Sequence, residues 1–444
     1  MKRTITKKLI EWKNSKKRKP LILRGARQVG KTYILRDFGK EYFPNYHYLN
    51  FEKDEQLGKL FEKNLSPARI ITELQFYLDT SIDTKQDLVI FDEIQHFPRA
   101  LTALKYFQEQ MPELALCSAG SLLGIGLAAD SFPVGKVTFL DLYPLSFDEF
   151  LEGIGKLRFA ELLRTHNLHK PLPQIAHEHL WSFWKNYLII GGLPEAVNTY
   201  RENLENPYNA IQATRQIHQD LLITYMADIA KHSGKVNAQH IERLWRNVPI
   251  QIARTQNGSA PKFRFKDALP GFRGYERLSC PLNWLENARL ILRTSIVNRA
   301  DTPLIGFSKE NRFKQFFFDV GLLTSVGNID ANIILKYDYG SYKGYIAENF
   351  VAQELRAAGV RELFCWEGRT SEIEFLLESP SGIIPVEVKS GRVTRSKSLT
   401  VFEKSYHPKQ SIILSANNLR ISGSRIYAPI YLAEQVAKFF IDKN

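Results

Sequence analysis

The chain has little cysteine. Of its 444 residues only Cys117, Cys280 and Cys365 carry a thiol, and they lie far apart, with no CxxC pair and no histidine at ligand spacing. That scarcity excludes a disulfide framework and a structural zinc site and points to a reducing compartment. Long apolar runs are lacking too. The longest, such as residues 122–129, fall far short of a bilayer span, so no membrane partner is expected. Nine of the first nineteen residues are Lys or Arg, but no apolar stretch follows them, so the front of the chain does not read as a secretion signal. A cytoplasmic protein is the simplest expectation. The sequence contains no internal repeat and no low-complexity segment.

What is present is the composition of an ordinary globular protein, 44% hydrophobic and 24% charged. A chain of 444 residues is too long for one compact core, so two or three domains are expected. The net charge of +13 favours polyanionic partners, nucleic acid first, through counterion release. A solvated basic surface without a partner fits the same number.

Along the chain, residues 7–13 read as a short amphipathic helix and residues 16–19 as a basic linker. Apolar runs at 21–23, 46–51, 88–91, 114–117 and 137–142 read as strands, and the segments 33–38, 70–78 and 101–110 between them as helices. Strands alternating with helices call for a parallel sheet covered on both faces. From 146 to about 250 the helical period dominates, with one interruption at Gly191-Gly192-Leu193-Pro194. Residues 240–330 read as short helical stretches with turns, compatible with a winged-helix-like module. A helix at 346–357 and strands at 363–366, 372–377, 383–388 and 411–415 complete a small α/β domain.

Residues 25–32, Gly25-Ala26-Arg27-Gln28-Val29-Gly30-Lys31-Thr32, form the pattern GxxxxGKT between an apolar strand and a helix. The glycines let the main chain curl so that successive N–H groups point at phosphate oxygens, and the following helix adds its positive end. Lys31 is expected to neutralise the β- and γ-phosphates of ATP, and the Thr32 hydroxyl to ligate Mg2+. Asp92 and Glu93 close the strand at 88–91. Asp92 is expected to hold Mg2+ through its water shell and Glu93 to orient the attacking water; a helix-capping acidic pair is the bland alternative. Ser121 and Ser118 follow the next strand and are candidates to sense the γ-phosphate, or else ordinary turn serines.

Near the end of the chain, Glu374 and the pair Glu387 and Lys389 have the layout of a metal-dependent nuclease site. Residues two apart on a strand point to one side, so Glu387 and Lys389 share a face, and a hairpin partner brings Glu374 alongside. Two carboxylates there are candidate Mg2+ ligands, and the lysine is a candidate to orient water. The competing reading is a polar face on an edge strand.

With these residues in view, the sequence resembles prokaryotic AAA+-type P-loop ATPases whose C-terminal domain of unknown function is similar to the restriction-endonuclease-like (PD-(D/E)xK) fold. The resemblance is carried by the loop and acidic pair above and by Tyr143-Pro144-Leu145-Ser146-Phe147, Gly191–Val197, Asp228-Ile229-Ala230-Lys231, Asp319-Val320-Gly321-Leu322-Leu323, Glu348-Asn349-Phe350-Val351 and Glu387-Val388-Lys389. It implies an α/β chain in four parts: a P-loop NTPase core over 1–145, a helical lid or connector over 146–240, a helical or winged-helix-like region over 241–335, and a nuclease-like domain over 336–444. It also implies that Glu348 is a helix acid of the nuclease-like site. Two departures stand out. Glu374 occupies a position where Asp is usual, which moves the carboxylate outward, and Lys136 stands where many relatives have Arg. ATPases of this kind often complete the site with an arginine from a neighbouring subunit, so a homo-oligomer is a candidate assembly. The expected function is an ATP-driven switch or motor on DNA or other nucleic acid; the alternative is an ATP-gated scaffold with a catalytically inactive rear domain. A small-molecule kinase lacks the clustered lid arginines it requires.

Overall fold

The computed structural model describes residues 1–120, 135–253, 259–266, 268–338, 340 and 342–441. They divide into two compact units: residues 2–143 with 287–289, and residue 1 with 144–286 and 290–444.

In the front unit α1 (Ile5–Asn14) leads through the basic linker to β1 (Leu21–Arg24) and α2 (Lys31–Tyr42). There follow β2 (Tyr46–Asn50), α3 (Gln56–Lys59), α4 (Pro67–Leu78), β3 (Leu88–Asp92), α5 (Pro98–Gln110), β4 (Ala115–Gly120) and β5 (Thr138–Asp141). The expected strands are all there and run parallel in the order β2-β3-β4-β1-β5. Leu21, Ile22, Leu23 and the whole of β3 are buried, as in parallel sheets with both faces covered. Ile22, Phe91 and Ser118 share one face by register. Phe51, Phe61, Phe91 and Phe107 pack on that side, with Phe51 and Phe91 edge to face at 5.3 Å. At the edge, Asp141 of β5 takes two bonds from Arg24, at 2.9 and 3.1 Å, and one from Arg289 at 3.2 Å.

The rear unit opens with α6 (Phe147–Gly153), α7 (Leu157–Thr165), α8 (Gln174–Ile190), α9 (Pro194–Glu202), α10 (Pro207–Ser233), α11 (Lys235–Ala253) and α12 (Ser279–Asn287). Next come β6 (Ile291–Val297), β7 (Ser308–Phe317), α13 (Val320–Val326), α14 (Ala331–Lys336) and α15 (Tyr342–Ala357). It closes with β8 (Leu363–Glu367), β9 (Glu372–Ser379), β10 (Gly382–Val388), α16 (Lys397–Tyr406), β11 (Ser411–Ser415), β12 (Arg420–Ser422), β13 (Arg425–Pro429) and α17 (Ala433–Ile441). The strands form one mixed sheet in the order β12-β13-β11-β10-β9-β8-β6-β7. This corrects the helical or winged-helix-like reading of 241–335: β6 pairs parallel with β8, so residues 291–317 extend the sheet formed by the residues that follow. The stretch 316–323, read as helical, is the end of β7 followed by α13.

The double glycine between α8 and α9 is required by its neighbours. A Cβ at Gly191 would meet the Asp319 carboxylate at 2.1 Å, and one at Gly192 the Leu145 carbonyl at 2.1 Å. In that space Asp319 accepts from Gly192 N at 2.7 Å and Leu322 N at 2.9 Å. Among the described residues no helix is long and apolar enough to cross a membrane.

Buried acids of α6, α15 and α17 make this unit pH-sensitive. Glu354 accepts from Phe147 N at 3.2 Å, Asp148 pairs with Arg164 at 2.5 Å, and Glu434 pairs with Lys438 at 2.6 Å. Burial, then the Asp148 charge, pushes the Glu434 carboxyl from 4.5 up to about 8 against the pull of Lys438. The folded chain therefore keeps a proton that the unfolded chain releases in this window, and stability falls as pH rises through it. The rear melting transition should drop by a few degrees between pH 4.5 and about 8, and Glu434→Gln should reduce that slope in scanning calorimetry.

Candidate functional site

The phosphate loop leaves the carboxyl end of β1, the crevice side on which open α/β sheets bind ligands. Gly25 is obligatory there, because a Cβ would sit 2.3 Å from the Leu142 carbonyl oxygen. Gln28 and Gly30 turn the chain with φ of 61° and 93°, the left-handed conformations that aim consecutive N–H groups into one concavity. Gly30 caps α2 without a side-chain bond, so the first amides of the helix face the loop. Lys31 is buried and donates to the carbonyls of Gly25 at 3.1 Å and Ala26 at 2.8 Å.

Thr32 and Asp92 meet across the site: Thr32 Oγ1 donates to Asp92 Oδ2 at 2.7 Å. Tyr48 donates to the same oxygen at 2.7 Å, and Glu93 N donates to Oδ1 at 3.1 Å. Burial, against the Asn50 bond and helped by Asp92, pushes the Tyr48 hydroxyl up to about 12, so it remains a donor at neutral pH. Glu93 is held in the left-handed region at φ 52°, and Gln95 Nε2 donates to its Oε2 at 2.5 Å. Such strain costs of order 1–3 kcal/mol and collects at functional sites.

Arg3 reaches the loop from the first residues of the chain. Its guanidinium donates to the Val29 carbonyl at 3.1 Å and to that of Tyr143 at 2.6 Å, tying the loop to the residues after β5. Arg3→Ala should weaken ATP binding about tenfold, the size of one or two net hydrogen bonds, with a much smaller change in turnover at saturation. Titration with a fluorescent nucleotide reads the first and steady-state kinetics the second.

In the rear unit the acids and lysine named from sequence lie in one cluster, the acids buried and Lys389 partly exposed. Glu374 accepts from Val388 N at 3.1 Å, Lys389 pairs with Glu387 at 2.5 Å, and Glu348 accepts from Ala260 N at 2.9 Å. Lys314 of β7, only 2% exposed, pairs with Glu348 at 3.4 Å and with Glu372. Burial alone would lower the Lys314 ammonium, but Glu348 and Glu372 outweigh it and hold it well above its usual range. Glu374 is pushed well above the usual carboxylate range by burial, then by Glu387 and Glu348. Among the described residues no group of three or more His, Cys, Asp or Glu is arranged to hold a metal ion.

Residues 17–151 match the AAA domain family model. The front unit contains an AAA-type P-loop domain. Behind the AAA domain, residues 182–332 and 343–433 match two domains of unknown function, DUF8612 and DUF4143. No curated protein matches the chain. Among solved structures, a Walker-type ATPase of Pyrococcus abyssi is 17% identical over 72% of this chain and 94% of that one, with a TM-score of 0.45. The Orc1 protein of Aeropyrum pernix in complex with DNA is 11% identical over 73% and 90%, at 0.30. The RuvB Holliday junction branch migration motor of Thermotoga maritima is 15% identical over 65% and 88%, at 0.32.

Within the AAA domain, residues 25–32, Asp92 and Glu93 come together at one end of the sheet. Ser121 lies outside the described residues. Ser118 is buried in β4, and its hydroxyl has no hydrogen-bond partner. Lys136 pairs with Glu109 at 3.1 Å. Three contributors were missed: Tyr48, Arg3 and Lys314. The alternation of β2 held a signal for Tyr48, since Tyr46, Tyr48 and Asn50 share its half-buried face.

Proposed function

We propose that the chain is a Mg2+-dependent ATPase that works as a switch or motor on nucleic acid. The observation that carries this reading is that Lys31, Thr32, Asp92 and Glu93 come together at the loop of residues 25–32. Mg2+ suits the donors, since a hydroxyl and a carboxylate oxygen lie 2.7 Å apart and both are hard ligands. Thr32 and Asp92 would hold such a cation, whose charge would offset that of the phosphates. The loop amides and Lys31 hold the phosphates, Thr32 and Asp92 seat the cation's ligand shell, and Glu93 orients the attacking water.

Support for nucleic acid comes from charge. Trp12 Nε1 donates to the Lys19 carbonyl at 2.7 Å, and Arg18 packs over the Trp12 ring. This fixes the basic linker and leaves Lys16 and Lys17 exposed at a surface cavity of about 500 Å³. ATP turnover with and without DNA tests the reading: DNA should raise the rate, and Lys16→Glu with Lys17→Glu should flatten the salt dependence of binding. An unchanged rate and no binding would remove nucleic acid from the proposal.

For the rear unit, strand cleavage would use Glu374 and Glu387 as cation ligands and Lys389 to orient water. The second reading, an ATP-gated module that binds without cutting, is favoured by Lys314, which already engages Glu348 and Glu372. Nicking of supercoiled plasmid in Mg2+, lost in Lys389→Ala, decides for the first. Binding without nicking decides for the second.

A further inference from the structure

Residues 259–266 of the rear unit lie between α11 and α12 without regular secondary structure, and their sequence alternates cation and ring: Lys262, Phe263, Arg264, Phe265, Lys266. Phe263 is buried and stacks on Phe313 of β7, the rings 5.4 Å apart and 17° from parallel. Phe265 meets both rings edge to face, at 5.2 Å from Phe263 and 5.9 Å from Phe313. Lys262, Arg264 and Lys266 are exposed. Such alternation is that of an extended chain, in which residues two apart share a side. The main chain is held at three points. Ala260 N donates to Glu348 Oε1 at 2.9 Å and Phe263 N to the Phe313 carbonyl at 2.8 Å. Gln251 of α11 grips Arg264 twice: its Oε1 accepts from Arg264 N at 2.8 Å, and its Nε2 donates to the Arg264 carbonyl at 2.9 Å. Gln251 is itself buried and bonded to Asn247 at 2.8 Å. These bonds fix the register, since a slip of one residue would turn the phenylalanines out and the cations in. Ring burial accounts for the phenylalanines but not for the cations. Among the described residues none of the three is drawn into an ion pair.

We infer that Lys262, Arg264 and Lys266 form a rail for the phosphates of one nucleic-acid strand. The inference rests on the nucleic-acid reading above and names the surface of the rear unit that serves it. Side chains two apart on an extended chain repeat about every 7 Å, close to the step between successive phosphates of an extended strand, so three cations meet three phosphates in order. The main chain is already fixed before the strand arrives, and binding does not bear the cost of ordering it. Lysine and arginine on such a rail address the backbone of the strand and carry no base preference. The rail begins beside the carboxylate cluster, where Ser259 Oγ lies 3.5 Å from Glu372 and Lys314 offsets both Glu348 and Glu372.

The test is fluorescence anisotropy of the full-length chain with a labelled single-stranded oligothymidylate over a series of salt concentrations. Lys262→Ala, Arg264→Ala and Lys266→Ala together should lower the slope of log affinity against log salt by about 2, three phosphate contacts at roughly 0.7 each, and weaken binding about tenfold or more at low salt. A mixed-sequence probe should lose the same factor. A control, Lys397→Ala with Lys404→Ala and Lys409→Ala, removes three other exposed cations of the same unit and should leave the slope nearly unchanged. A circular dichroism melt establishes that both variants fold. If the triple variant does not, the single substitutions decide, each lowering the slope by about 0.7. An unchanged slope in the rail variants, an equal fall in the control, or a preference for anionic vesicles over the oligonucleotide would each overturn the inference. If the unaltered chain binds no oligonucleotide, the nucleic-acid reading itself has failed; binding whose slope the rail substitutions leave intact removes the rail alone.

Discussion

Lys31→Ala should lose ATP binding by about a hundredfold or more and abolish measurable turnover, while the chain stays folded. The ammonium would give charge-assisted bonds to two phosphates, each of about 1.5–3 kcal/mol, and about 2.7 kcal/mol is a hundredfold in affinity. Without nucleotide, Lys31 bonds the carbonyls of Gly25 and Ala26, so truncation also loosens the loop. Those carbonyls lie in a loop that Arg3 still holds at Val29, and the melting temperature without ligand should move by only a few degrees. The clearest readout is thermal shift with ATP. A ligand that binds only the folded state stabilises by RT ln(1 + [L]/Kd), and this increment should vanish in Lys31→Ala. A variant that keeps both the increment and the turnover would remove the phosphate loop from the mechanism.

Glu93→Gln should separate binding from chemistry. The amide keeps the shape of the side chain and its approach to Gln95 but cannot accept a proton or polarise water as a carboxylate does. Turnover should fall by about a hundredfold to ten-thousandfold, the usual contribution of a positioned base, with ATP affinity nearly unchanged. Glu93 follows Asp92 with a left-handed backbone, and Asp92 Oδ1 accepts its N–H, so both carboxylates lie at the same end of the sheet. Single-turnover kinetics with labelled ATP separates the steps. Full-rate hydrolysis by Glu93→Gln would assign the water to another group.

The front of the molecule was legible because its signals are local. Continuous apolar runs such as residues 88–91 mark buried parallel strands, and the glycine loop fixes Gly25, Gly30, Lys31 and Thr32 at once. Tyr48 and Asn50 were not assigned to the site, because the alternation of β2 shows only that they share a face, while their closeness to Asp92 follows from parallel register, with Asn50 opposite Asp92. Arg3 was missed for a similar reason: its partners lie 26 and 140 residues away. In the rear unit, β6 and β7 were read as helical. Arg293, Thr294 and Ser295 interrupt the apolar residues of β6, and the first half of β7 is largely exposed, so neither gives clean alternation. Lys314 then sits beside Phe313 and before Phe316 and Phe317, where a lysine reads as the polar side of a helix. The carboxylate cluster was visible as residues, but its counter-ion depended on strand pairing that the sequence does not spell out.

The return of residues 287–289 to the front unit has a consequence for biogenesis. A ribosome releases all five front strands long before it reaches Arg289, the residue that joins Arg24 on Asp141. The front unit therefore emerges with one edge unfinished, and roughly a further third of the polypeptide must be translated before that edge acquires its last clamp.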